Sequence, residues 1–200
     1  MNSPPVIRDG VPDDLDTLVD TLSDSFSEDP IFNWVFPQAA LYPFFFRLVV
    51  SELYLPRGMI HVDDAGRAAA LWLPPEERYE LPPRLSLINF GFRLVRAGGL
   101  HRLRRLRRQG AVYAKHLPRE PHYYLQFLGC RYDHQGQGIG SALLLEGLRV
   151  CDKRDMPVYL ESSNERNLPL YERHGFEVRD TAQVGNTGPT VWFMWREPQQ

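Results

Sequence analysis

The residues with the clearest chemical possibilities in this 200-residue chain are Gln135-Gly136-Gln137-Gly138-Ile139-Gly140. Glycine lacks the Cβ that would hold an anionic ligand away from the backbone. Where a helix starts at such a turn, its free N–H groups point at one spot and its dipole favours negative charge there. A pyrophosphate suits that arrangement, although the glycines alone are equally compatible with a plain tight turn. No Gly-Lys-Ser/Thr follows, so the turn is not a P-loop, and no train of strand–helix–strand units precedes it, as a dinucleotide fold requires. Other reactive groups are sparse. The six histidines lack metal-ligand spacing, and Cys130 and Cys151 are too few for a disulfide framework or a four-cysteine zinc site. No metal is expected. Cys130, after an apolar run, reads as packing, and Ser162-Ser163 lacks the glycines of a nucleophile elbow.

The elements that must position this turn are legible as periodicity. Val6-Ile7-Arg8 reads as a short strand, and Pro12-Asp13-Asp14 opens a helix with Leu15, Leu18, Val19 and Leu22 on one face. Pro30 interrupts before the aromatic cluster Phe32, Trp34, Val35 and Phe36. The spacing of Phe45, Leu48, Val49 and Leu53 predicts a helix over 42–55, stopped by Pro56. Residues 59–62 and 68–73 form a hairpin about Asp63-Asp64-Ala65-Gly66, closed by Pro74-Pro75. Beyond Pro82-Pro83, two helices divide at Gly98-Gly99, the second amphipathic with Leu100, Leu103 and Leu106 among arginines. Tyr123–Cys130 reads as a strand buried on both faces and leads through the glycine turn into a helix. A strand at 158–160, a short helix at 169–174 capped by Gly175, a strand at 176–178 and a last strand at 190–195 complete a mixed α/β order.

Composition narrows the function classes. With 43% hydrophobic and 12% aromatic residues and a net charge of −2, the chain supports one domain with a sizeable core and is no disordered polyelectrolyte. Ten positive charges, from Arg84 to Arg119, stand with no Asp or Glu among them, so one basic face is expected. Nucleic acid is not the expected partner, because only Tyr113 accompanies that charge. The start of the chain has no signal core and no apolar run spans a bilayer, so the expectation is a cytoplasmic protein without a membrane partner.

Two motifs in the right order make the reading specific. The spacing of Gln135, Gly138 and Gly140 resembles the acyl-CoA signature of the GNAT superfamily of N-acetyltransferases. The segment Asn164-Glu165-Arg166-Asn167-Leu168-Pro169-Leu170-Tyr171-Glu172-Arg173-His174-Gly175-Phe176 is similar to that superfamily's N-x-x-A-x-x-L-Y-x-x-x-G-F pattern. Asn167 and Pro169 depart from it, so the last helix is expected to start late, with Asn167 as its N-cap. Leu71–Glu76, His116–Pro121 and Leu160–Ser163 are similar to the branch that contains puromycin N-acetyltransferase.

The resemblance implies a central mixed, mostly antiparallel sheet of about six or seven strands, flanked by helices and splayed between the fourth and fifth. It implies one domain over 1–200, with 1–120 mainly on the acceptor side and 121–200 mainly on the acetyl-CoA side. Acetyl-CoA would be the co-substrate, its pantetheine bonded by the backbone of Leu128, Gly129 and Cys130 and its pyrophosphate by amides of Gln135, Gly136, Gln137, Gly138, Ile139, Gly140 and Ser141. Asn164 and Asn167 would contact the cofactor, and Tyr171 would protonate the departing thiolate. An attacking amine must shed its proton, and Glu161, ending a short apolar strand, is the first candidate base. Its alternative role is to bind the substrate ammonium. Glu28 and Asp29 are candidates to select a cationic acceptor, and Phe32, Trp34 and Trp72, with Phe26, Phe36 and Tyr42, to hold its apolar body. The expected activity is acetyl transfer to a primary amine of a small molecule by direct attack in a ternary complex, in a monomer or homodimer. A protein lysine or N-terminal acetyltransferase and a non-catalytic CoA-binding module remain the alternatives.

Overall fold

The computed structural model describes residues 5–80 and 85–199; Pro82-Pro83 and Arg84 lie outside the described residues. Seven strands form one sheet in the order β1-β2-β3-β4-β5-β7-β6. They are β1 (Ile7–Asp9), β2 (Met59–Asp63), β3 (Ala68–Leu73), β4 (Tyr123–Cys130), β5 (Val158–Ser162), β6 (Glu177–Gln183) and β7 (Thr190–Arg196). All neighbours are antiparallel except β4 and β5. That parallel pair is held only at Tyr123↔Val158 and Tyr124↔Tyr159. Beyond Tyr124 the two strands diverge, which is the expected splay.

Helices cover both faces. On one lie α1 (Leu15–Ser25), α2 (Pro30–Val35), α3 (Tyr42–Val49), α4 (Leu55–Arg57), α5 (Leu85–Gly98) and α6 (Leu100–His116). On the other lie α7 (Ile139–Lys153) and α8 (Leu168–Arg173). The first core joins Leu18, Leu22, Phe32, Phe46, Tyr124 and Phe193; the second joins Trp72, Leu125, Leu143, Leu144, Leu160 and Met194.

Two prolines act differently from expectation. Pro30 does not interrupt but begins α2, where its missing N–H costs no intrahelical bond and Asp29 Oδ1 accepts from Phe32 N at 2.9 Å as the N-cap. Pro56 does not stop the helix either. A π-helical turn at Val50–Tyr54 joins α3 to α4, relieving the clash a proline makes with the turn before it, and the rod ends at Gly58. Asn167 stands before α8 as expected, but its side chain caps nothing; Asn164 Oδ1 instead accepts from Arg166 N at 3.1 Å, capping the preceding 3-10 turn.

One irregularity positions the site. Leu71 pairs with Phe127 but Trp72 pairs with Leu125, leaving Gln126 as an extra residue in β4. Tyr123 and Leu125 pack in the second core, while Tyr124 and Phe127 pack in the first, so the face read by each side chain changes across Gln126.

Candidate active site

Where β4 and β5 part, the sheet opens a cleft of about 540 Å³. Its floor is β4 from Tyr124 to Leu128, one wall is the end of β5 with Tyr171, and its roof is the inner faces of α2, α3, α5 and α6. Phe26, Phe32, Phe36, Phe45 and Phe90 give it an aromatic lining.

Glu161 projects into this cleft because period-2 alternation along β5 sends Val158 and Leu160 to one face and Tyr159 and Glu161 to the other. Its Oε2 accepts from the Tyr124 hydroxyl at 2.5 Å. Burial raises the carboxyl to about 7, against the opposing influence of the Tyr124 and Tyr159 hydroxyls. The Tyr159 hydroxyl makes no aligned hydrogen bond, so it acts on the carboxyl as a nearby dipole. Asp29 is a second buried acid on the wall. Its Oδ2 accepts from Ser163 Oγ at 2.6 Å, tying the start of α2 to the end of β5. Burial raises its pKa despite those bonds. Tyr171 lines the cleft with its ring edge-on to Phe176, and burial, then the charge of Asp29, pushes its phenol above the ordinary value.

The glycine turn lies at the end of β4. Gly136 and Gly138 have φ of 72° and 82°, the left-handed region that favours glycine, and a Cβ at either would meet open space. Gly138 is the N-cap of α7 without a side-chain hydrogen bond, so the first amides of α7 remain directed outward. Gln135 Nε2 donates to Cys130 O at 3.1 Å, and Ser141 Oγ lies 2.6 Å from His174 Nε2, which pin the two sides of the turn. An open glycine cradle at a helix start, beside a β4 edge that β5 leaves unpaired, fits a long ligand carrying a pyrophosphate and an amide-bearing arm.

Other expected site residues are dispersed. Glu28 is exposed and off the cleft wall, whereas its neighbour Asp29 is on it. Trp72 is fully buried in the opposite core, against Gly147 of α7, and does not line the cleft. Trp34 is likewise outside the lining, its ring under the Arg105 guanidinium at 5.1 Å. Tyr42 sits behind Phe32 and donates to Asn33 Oδ1 at 2.7 Å. Asn167 reaches the cleft and Asn164 does not. The arginine-rich helix α6 is only partly a solvated face. Arg104, Arg107 and Arg108 are exposed, but Arg102 and Arg105 donate to Trp34 O at 2.8 and 2.7 Å, and Leu106, Gln109 and Tyr113 line the cleft. At the far end, His116 stacks on Phe193 at 4.1 Å. Sequence reasoning missed Tyr124 and Gln126. A lone amide within Tyr-Tyr-Leu-Gln-Phe-Leu-Gly-Cys was the available signal for the second. No group of His, Cys, Asp or Glu among the described residues is arranged to hold a metal ion.

Residues 86–176 match the model of the acetyltransferase (GNAT) family. A crystal structure of histone acetyltransferase HPA2 and related acetyltransferase from Corynebacterium glutamicum is similar over 99% of this chain and 98% of its own, at 26% identity and a TM-score of 0.74. Within residues 86–176 the chain resembles the GNAT acetyltransferase family, and its fold is that of the Corynebacterium glutamicum acetyltransferase. Its glycine turn, split sheet and Tyr171 all fall within or beside the matched segment. An uncharacterized N-acetyltransferase of Schizosaccharomyces pombe is 33% identical over 79 residues, 38% of this chain and 32% of that protein. The L-amino acid N-acyltransferase of Escherichia coli is 39% identical over 66 residues, 32% of this chain and 37% of that enzyme. The chain thus aligns with about a third of the length of each of these two curated relatives. No helix among the described residues is long and apolar enough to cross a membrane.

Proposed function

We propose that the protein transfers the acetyl group of acetyl-CoA to a primary amine of a small molecule, by direct attack in a ternary complex. The observation that carries this reading is the buried Glu161 carboxyl, raised to about 7, in the cleft that the split of β4 from β5 opens. An alkylammonium keeps its proton at neutral pH, and a carboxylate of that basicity is matched to accept it. Acetyl-CoA supplies an activated acyl thioester when bound. The backbone of Leu128, Gly129 and Cys130 would pair with its arm and amides from Gln135 to Ser141 with its pyrophosphate, a reading supported by the unpaired β4 edge and the open glycines, with Asn167 lining the cleft. Tyr171, whose phenol keeps its proton well past neutral pH, is the group to protonate the departing sulfur. Glu161 takes the amine's proton, and Asp29 is a second buried acid on the cleft wall that favours a cationic acceptor when ionised.

A small acceptor follows from the roof. Helix α6 closes over the aromatic lining and is held at one end by Arg102 and Arg105 and at the other by His116. The likeness of Leu71–Glu76 to the puromycin N-acetyltransferase branch agrees with a small molecule. The two halves of the chain act as one unit, since 1–120 supplies the roof and 121–200 the floor and the anion turn. A cytoplasmic site of action is part of the same proposal, matching a reaction fed by acetyl-CoA. The test is thiol release from acetyl-CoA across a panel of small amines, with the acetylated product identified by mass. Release dependent on an amine supports the reading. Tight acetyl-CoA binding with no release for any small amine, but with acetylation of a peptide, would replace it by protein acetylation.

A further inference from the structure

The cleft contains a polar cluster that the transfer reaction does not use. Gln126, the extra residue of the β4 bulge, lies on the cleft wall in an otherwise apolar stretch between Leu125 and Phe127. Its Oε1 accepts from the hydroxyl of Tyr54, which is fully buried in the π-helical turn before α4. Tyr79, from the segment after β3, brings its hydroxyl into the same cleft beside the Gln126 amide while the residue as a whole stays 40% exposed. Glu161 acts electrostatically on both tyrosine hydroxyls, which places the cluster in its neighbourhood.

The chemistry of this cluster is directional. A buried carboxamide in an apolar wall costs free energy unless its donors and acceptors are satisfied. Tyr54 fixes the amide by occupying its oxygen, which turns the NH₂ group toward the cleft. One amide proton can serve the Tyr79 oxygen, which leaves the other and the Tyr79 hydroxyl proton as donors. Both donors then face a ligand oxygen. A carboxylate oxygen would lie in the field of Glu161 and Asp29, so a neutral oxygen is favoured.

Building on the acetyl-transfer reading, we infer that Gln126 and Tyr79 form a hydrogen-bonding subsite that selects acceptor amines carrying a neutral oxygen, such as a carbonyl, ether or hydroxyl, on an apolar body. The amine end lies at Glu161 and the oxygen at Gln126. Tyr54 is a positioning residue that holds the amide.

The test is calorimetric binding, in the presence of CoA, of two arylethylamines of matched size, one with a para-methoxy and one with a para-ethyl group. The methoxy amine is expected to bind about tenfold tighter to the wild type. That ratio should collapse toward one in Gln126→Leu and in Tyr79→Phe, the latter at a half-exposed position that tolerates the change. Equal affinities in the wild type, no binding of either amine, or variants that weaken both probes by the same factor and keep the ratio would each overturn the subsite. Selective binding, with no thiol release from acetyl-CoA for these or any other amine of the panel, would leave the subsite standing and remove the transfer reading alone.

Discussion

The glycine turn and the aromatic cleft solve recognition in opposite ways. The turn offers backbone: two glycines at positive φ, open space where side chains would be, and the uncapped start of α7. The cleft offers side chains: Glu161, Tyr171, Asp29 and a ring of phenylalanines brought from six elements. A backbone site is set by local conformation and tolerates change in neighbouring side chains. A side-chain site depends on which face of each element looks inward, so it can be altered one residue at a time while the frame stays. On the proposed function, the turn is therefore the end set by local backbone and the cleft the end adjustable one side chain at a time.

If that contrast is right, changes in the cleft strike the rate and changes in the turn strike affinity for acetyl-CoA. The largest expected effects are in the cleft. Tyr171→Phe should lower kcat by roughly 10²-fold or more, the usual scale for losing a general acid, with acetyl-CoA affinity unchanged by calorimetry. Near-full turnover in that variant, with chemistry limiting, would reduce Tyr171 to packing. Stability gives a second reading of the same region. Glu161 has a folded pKa near 7 against an ordinary 4.5, so the folded state favours its protonated form. Its cost is absent below about pH 4.5, grows through that window and is constant above pH 7. Glu161→Gln should therefore stabilise the fold at pH 8 by on the order of 1–3 kcal/mol and do little at pH 4, as denaturant titration would show.

Smaller effects belong to the other end. Gly138→Val should weaken acetyl-CoA binding about tenfold, and the left-handed backbone adds a stability cost of about 1 kcal/mol, so affinity should be read well below Tm. Smallest of all, changing exposed Arg104, Arg107 and Arg108 together to Gln should leave acetyl-CoA affinity within about twofold, because salt screens scattered surface charge. A large salt-sensitive loss would bring α6 to the cofactor and blur the division between the two regions. Arg105→Gln is the internal control, since it removes one of the two guanidinium bonds to Trp34 O at the roof and should raise KM for the amine rather than for acetyl-CoA.

How much was legible in the sequence follows the same division. The turn could be read directly, because glycine spacing before an apolar helix is a local constraint. Most strands were placed, and the parting of β4 from β5 matches what the family resemblance implied. The cleft was harder. All six residues of β3 are buried, so no polar alternation shows that Trp72 faces away from the cleft. In β4 the bulge at Gln126 shifts the face of every residue after it, and a period-2 count carried through the strand misplaces them. Asp29 and Glu28 are adjacent acids of the same class, and only the N-cap of α2 separates the one turned inward from the one left in solvent. Arg102 and Arg105 are indistinguishable by type from their exposed neighbours, and only the packing of α6 on α2 reveals their bonds to Trp34 O.

The central claim is that Glu161 accepts the amine's proton, and the pH dependence of kcat/KM tests it most directly. With an acceptor from the screen, the wild type should show a limb rising with pH that breaks near 7, the Glu161 value in the free enzyme. Glu161→Gln should lose that break along with most of its rate above pH 7, and an amine of lower pKa should recover part of it. Tyr171→Phe should keep the break at reduced height. A wild-type profile with no break between pH 5 and 8, or one left in place by Glu161→Gln, would contradict the assignment and move the proton to another group in the cleft.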